Sequence, residues 1–193
     1  MQIGKASEPD REKIAEIITD GFYDHDAGLK FFTRNKEKFK KFIANALLLE
    51  HFYIAVIDNE IAGAVGCTNK RKKQFSLSTD IKIYIKIFGF KGIILWFMLV
   101  GGEKYIKPKT NEKTGVFDIV GTSAKHQRMG VASAIIRHIF SLPEYDNYML
   151  EVADTNTSAI KLYKKLGFTE ESRRKFFQKS GINHFVYMRY WKG

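Results

Sequence analysis

The sequence predicts a mixed α/β domain, and three observations lead there. Two apolar runs, Phe52 to Ile57 and Ile61 to Cys67, flank Asp58-Asn59-Glu60, the pattern of an antiparallel hairpin with a short polar turn. A strand–helix–strand–helix succession then runs from Val116 to Leu166, a crossover unit that implies a parallel strand pair. Finally, Phe168 to Phe177 and Asn183 to Trp191 read as strands around Lys179-Ser180-Gly181, so the chain ends in a sheet. At 193 residues the length is worth about one and a third average domains, so residues 1–193 are read as one domain.

Taken in order, Gln2 to Ala6 is a short, weakly alternating strand. Ser7-Glu8-Pro9-Asp10 after it is a helix start, with proline near the first turn and acids where the helix dipole favours them. Ile14, Ile17, Ile18 and Phe22 keep helical spacing, and Phe39, Phe42, Ile43, Ala46 and Leu47 do so again. The hairpin follows. Beyond it, residues 69 to 115 are irregular: a basic run Lys70-Arg71-Lys72-Lys73, a Ser78-Thr79-Asp80 cap, and an apolar segment broken at Gly89 and Gly92. Two short helices are expected there, within a helical insertion at about 78–106 that fades into Lys107 to Asn111. The crossover unit comprises a strand at Val116 to Thr122, a helix from Gly130 to Ser141 stopped by Pro143, a strand at Tyr148 to Val152 and a helix from about Asn156 to Leu166.

Composition narrows the function classes. An apolar fraction of 45% and a charged fraction of 27% argue against disorder and disulfide-built miniproteins. The single cysteine, Cys67, excludes an internal disulfide and a cysteine zinc cluster, and no metal site is expected; a reducing, cytoplasmic setting follows. MQIGKASEPD has no apolar run behind a basic start, so no secretory signal is expected. The apolar stretch Ile93 to Val100 is too short to span a bilayer, which needs about 20 residues. The net charge is +11 with a pI near 9.6, while Glu8, Asp10, Glu12, Glu16, Asp20, Asp24 and Asp26 make the first 26 residues acidic.

The chemistry is carried by two segments. Gln127-Arg128-Met129-Gly130-Val131-Ala132 follows a strand and opens a helix. Small residues at Gly130 and Ala132 let backbone N–H groups approach a phosphate, and the helix N-terminus adds partial positive charge. Alone it is weak, arising by chance in about one chain in five. The second, Asn156-Thr157-Ser158-Ala159-Ile160-Lys161-Leu162-Tyr163-Lys164-Lys165-Leu166-Gly167-Phe168, would arise in roughly one chain in ten thousand or fewer. Together, in this order and with one strand between them, they resemble the two acetyl-CoA signatures of the GCN5-related N-acetyltransferase (GNAT) superfamily, Gln/Arg-x-x-Gly-x-Gly/Ala and Asn-x-x-Ala-x-x-x-Tyr-x-x-x-Gly-Phe.

That resemblance implies a mostly antiparallel sheet with a central, splayed parallel pair flanked by helices. It implies acetyl-CoA as acyl donor, with pantetheine entering the splay and pairing with backbone near Thr122, Ser123 and Ala124. Gln127, Arg128, Met129, Gly130, Val131 and Ala132 would form the pyrophosphate cradle, with Lys125 and His126 beside Arg128, and Asn156 would cap the following helix and contact CoA. Tyr163 would attend the leaving thiolate. A phenol with pKa about 10 is a weaker acid than a thiol at about 8.5, so hydrogen-bond donation is favoured over proton transfer. Gly121 fits a strand bulge or a close backbone approach, with the bulge favoured. Asp118, four residues before Thr122, is the candidate general base, and Glu151 the second choice.

The acceptor would be a primary amine of a small molecule or peptide. Within the family the segment joining the first two helices often lines the acceptor pocket, and here it reads Tyr23-Asp24-His25-Asp26; its two carboxylates suit a cationic amine, although a solvated turn is the commoner role. The insertion around Ile93 to Val100 reads as a homodimer contact or a lid, with core packing as the default. Two rivals remain: a CoA-binding module without catalysis, and a basic RNA- or ribosome-associated protein. The basic runs Lys36 to Lys41, Lys70 to Lys73 and Arg173 to Lys175 lack the aromatic interleaving of a recognised RNA-binding type, which disfavours nucleic acid.

Overall fold

The computed structural model describes residues 1–23, 33–69, 78, 80–97, 110–175 and 182–193. Its strands are β1 (Gln2–Lys5), β2 (Phe52–Ile57), β3 (Glu60–Thr68), β4 (Thr114–Thr122), β5 (Asn147–Ala153), β6 (Thr169–Lys175) and β7 (His184–Trp191). Its helices are α1 (Arg11–Phe22), α2 (Lys36–Ala46), α3 (Ile81–Phe88), α4 (Phe90–Trp96), α5 (Val131–Ser141) and α6 (Thr157–Lys165). The strands form one seven-stranded sheet in the order β1-β2-β3-β4-β5-β7-β6. Among the described residues only β4 and β5 pair in parallel; the remaining pairs are antiparallel. This is the predicted mixed, mostly antiparallel sheet.

Local chemistry explains the elements. Ser7 donates its backbone N–H and hydroxyl to the Asp10 carboxylate at 2.8 and 2.7 Å, which holds the entry to α1. The hairpin loop is tighter than expected. Glu60 pairs with Ile57, leaving Asp58 and Asn59 at positive φ of 50° and 61°, residue types that tolerate this conformation in a two-residue turn. At the far edge of the sheet, the mostly charged and exposed Glu170, Glu171, Arg173, Arg174 and Lys175 of β6 discourage edge-to-edge pairing. The turn expected at Lys179 to Gly181 and the basic run 70–73 lie outside the described residues.

Strand alternation divides the core between the two faces. Phe52, Ile54 and Ala64 point to the face covered by α1, α2, α3 and α4, where Ile14, Phe39, Phe42 and Leu95 are buried with them. Tyr53, Ala55 and Val65 point to the opposite face, where Val131, Ile135 and Ile139 of α5 meet Tyr163 of α6, Leu150, Val152 and Phe168. β4 breaks the alternation. Phe117 lies on the α5 face and Ile119 on the α1 face as expected for opposite sides of a bulge, because the β3 register steps from Gly66↔Ile119 to Cys67↔Phe117 and passes over Asp118.

Candidate active site

The parallel ladder is short. Thr114, Gly115, Val116 and Phe117 pair with Asn147, Tyr148, Met149 and Leu150, and there the pairing ends, although β4 continues to Thr122 and β5 to Ala153. Beyond Phe117 and Leu150 the two strands therefore part, and the β4 backbone edge toward β5 is no longer occupied by that strand. The irregularity expected at Gly121 falls instead at Asp118, since Gly121 keeps regular register with Ala64. Gly121 is a close-approach glycine: a Cβ there would stand 2.9 Å from Ile17 Cγ2 of α1.

The phosphate-cradle segment adjoins the end of β4. Ser123 N–H donates to the Ala62 carbonyl at 2.9 Å, and an added Cβ on Gly63 would lie 2.7 Å from Val131 Cγ1, so β3, the end of β4 and the start of α5 are in direct contact. Gly130 is the N-cap of α5 at φ 78°, with nothing within 4 Å of its Cβ position. The first helical bond runs from Ala134 N–H to the Gly130 carbonyl at 2.9 Å, which leaves the amides of Val131, Ala132 and Ser133 directed out of the helix N-terminus. Gln127, Arg128 and Met129 are exposed along this approach, and Arg128 adopts a left-handed φ of 63°. Free amides, an unobstructed glycine and an exposed guanidinium make a donor set that suits a pyrophosphate.

The two residues beside Arg128, which the sequence leaves either as helpers in neutralising phosphate or as solvated loop residues, both have protein partners. Lys125 Nζ donates to Glu60 Oε2 at 2.7 Å, an exposed ion pair that ties the loop to the β2–β3 turn. His126 is buried, its Nδ1 2.8 Å from Ser123 Oγ, and it braces the loop from inside. Sequence reasoning missed this brace; the signal available was the Ser-x-x-His spacing.

Tyr163 lies on the α5–α6 face, edge-on to Phe168 at 5.8 Å. Tyr148 donates its hydroxyl to the Ile139 carbonyl at 2.8 Å, whereas the Tyr163 hydroxyl makes no hydrogen bond among the described residues. Burial pushes the Tyr163 pKa up to about 12. Asn156 caps α6 by accepting from Ala159 N–H at 3.1 Å. Asp118 is half-buried at the point of divergence. Glu151 follows Leu150 on the other side of the split, where its carboxylate accepts from Arg174 Nη2 at 3.2 Å. Arg174 Nε in turn donates to the Tyr187 hydroxyl, also at 3.2 Å.

A split parallel pair beside an open helix N-terminus joins both motif segments on one sheet, and the family comparison agrees: the Acetyltransferase (GNAT) family model matches residues 12–168. The chain belongs to the GNAT family. Solved structures with the same fold include an N-acetyltransferase from Staphylococcus aureus Mu50, with TM-score 0.69, 16% identity, and coverage of 98% of this chain and 100% of that one. A protein described as histone acetyltransferase HPA2 and related acetyltransferase, from Corynebacterium glutamicum, has TM-score 0.67, 18% identity and coverage of 97% and 94%. A GNAT-family acetyltransferase from Bacillus cereus has TM-score 0.61, 14% identity and coverage of 100% and 97%. Among curated proteins none matches significantly. At these identities the likeness is one of fold.

In the segment expected from the sequence to line an acceptor pocket, Tyr23 is buried against Phe39 with ring centroids 5.6 Å apart, and its hydroxyl donates to the Thr33 carbonyl at 3.1 Å. Its ring thus anchors the end of α1 within the core. Asp24, His25 and Asp26 lie outside the described residues, so the carboxylate pair expected to meet a cationic amine is not placed.

Proposed function

We propose that this chain is an N-acetyltransferase that moves the acetyl group of acetyl-CoA directly to a primary amine of a small molecule or peptide, in a ternary complex. The observation that carries this reading is the end of the β4–β5 ladder at Phe117 and Leu150, with β4 running on to Thr122 beside the open N-terminus of α5. The exposed edge of β4 suits the amide-bearing pantetheine arm, through Thr122, Ser123 and Ala124. The amides of Val131, Ala132 and Ser133, with Gly130 and the Arg128 guanidinium, suit the pyrophosphate. Residues 1–193 act as one cytoplasmic catalytic domain, with α3 and α4 inside an insertion between β3 and β4.

Acetyl-CoA, when bound, supplies an electrophilic thioester carbonyl. The chain's own residues handle protons and position. An alkylammonium with pKa about 10.4 must be delivered as the neutral amine, which at pH 7 costs about 4.6 kcal/mol. Asp118, at the mouth of the split, takes that proton directly or through a water. Tyr163 donates a hydrogen bond to the departing sulfur. With its pKa at about 12 against about 8.5 for a thiol, full proton transfer would run uphill by about 5 kcal/mol, so the phenol keeps its proton. Holding amine and thioester together supplies much of the rate. The only cysteine, Cys67, is buried in β3, which supports direct attack over a route through a cysteine thioester. Initial rates measured against both substrates test this: intersecting double-reciprocal lines are expected, and parallel lines would contradict the ternary complex.

A further inference from the structure

We propose that Arg174 is a specificity-determining residue that selects acceptors with a carboxylate next to the reacting amine, so that the acceptor is a free α-amino acid; this rests on the acyl-transfer reading above. Strand alternation locates the residues. Leu150 and Val152 of β5, and Val186 and Met188 of β7, point to the α5 face, so Glu151 and Tyr187 between them point to the face that carries α1. Arg174 of β6 reaches both. Its Nη2 donates to Glu151 Oε1 and its Nε to the Tyr187 hydroxyl, each at 3.2 Å, and the guanidinium lies 5.1 Å from the centre of the Phe185 ring. These contacts fix the plane of the fork and leave Nη1 without a hydrogen bond among the described residues. The Arg174 and Glu151 side chains are 26% and 27% exposed, so the pair is held by the sheet and still open to a ligand.

Position and charge choose that ligand. Glu151 is the first residue of β5 past the last rung of the parallel ladder, as Asp118 is of β4. The cradle amides belong to α5, so acetyl-CoA fills the split from the α5 side and leaves the α1 side to the incoming amine. On that face of β5, β6 and β7 the other charges among the described residues are Arg189 and Glu171, paired with each other at 3.0 Å. A plain anion on Nη1 meets the Glu151 charge, and a plain amine on Glu151 meets the Arg174 charge; each leaves one repulsion unopposed. A zwitterion satisfies both, with its ammonium against Glu151 at the split and its carboxylate on Arg174 Nη1. Because Nη1 and Nη2 share one carbon, the two ligand groups sit close together, as they do in an α-amino acid. A peptide N-terminus offers a neutral carbonyl there instead of a carboxylate and makes the weaker bond.

The test measures CoA release from acetyl-CoA with each genetically coded L-amino acid, its carboxamide and the amine that it yields on decarboxylation. At least one free amino acid should be used with kcat/KM about tenfold or more above its carboxamide and its decarboxylated amine. Arg174→Gln should raise KM for that amino acid about tenfold or more while changing KM for its carboxamide less than about twofold; a residue that only holds β6 against β7 would move both alike. Calorimetry of the same ligands on the unmodified chain saturated with CoA reads the preference without turnover. Preferential binding of a free amino acid with no release would contradict acyl transfer and leave the subsite in place. Release that uses an acid and its carboxamide equally overturns the subsite and leaves acyl transfer in place. An equal rise of both KM values in Arg174→Gln overturns the subsite as well, and so does the absence of binding by every free amino acid.

Discussion

Phe117 pairs with Leu150 at the last rung of the parallel ladder, and the very next residue of β4, Asp118, is the one that the β3 register steps over. Bulge and split therefore coincide. The bulge turns β4 so that Phe117 packs toward α5 while Ile119 packs toward α1, and it sets a carboxylate at the opening. If that carboxylate takes the acceptor's proton, Asp118→Asn loses the acidic limb of the pH dependence of kcat/KM and drops in rate by about 10²-fold or more. An unaltered profile would remove Asp118 from the mechanism.

Tyr163→Phe separates donation to sulfur from packing. Because the hydroxyl makes no hydrogen bond among the described residues, removal should leave thermal stability within about 0.5 kcal/mol. One charge-assisted hydrogen bond is worth about 1.5–3 kcal/mol, so kcat should fall about 10- to 100-fold with CoA affinity little changed. Unchanged kcat would leave Tyr163 as a core residue.

Arg128 tests how much of the cradle is backbone. A non-glycine residue at φ 63° carries strain of about 1 kcal/mol, which Arg128→Gly relieves. Unfolding should show equal or greater stability, while CoA affinity, measured by calorimetry, weakens only several-fold if the α5 amides dominate. A loss of a hundredfold or more would make the guanidinium the main phosphate ligand.

Gly121→Ala probes the seat of α1 on β4. The new Cβ would stand 2.9 Å from the buried Ile17 Cγ2, so α1 or β4 must shift, at about 1–3 kcal/mol. Combining it with Ile17→Ala, which removes Cγ2, should give less than the sum of the two losses in denaturant unfolding. Strict additivity would show that the contact is not what requires glycine.

What the sequence made legible follows from locality. The cradle and the Asn156 cap depend on neighbouring residues, and the hairpin depends on its turn, so residue type and spacing revealed them. The position of the bulge did not emerge, because register is a property of two strands. Gly121 drew attention as a glycine within the expected strand Val116 to Thr122, whereas the better signal was Asp118, a carboxylate between Phe117 and Ile119. Lys125 read as a phosphate ligand because Glu60 is far away in sequence. Tyr23 read as pocket lining because nothing local indicates that its ring packs on Phe39.

The most direct test of the central claim is release of free CoA from acetyl-CoA in the presence of a panel of primary amines and short peptides. The account predicts release that depends on at least one amine, saturates in it and is diminished in Tyr163→Phe. Tight CoA binding with no amine-dependent release across the panel would contradict catalysis and leave a CoA-binding module.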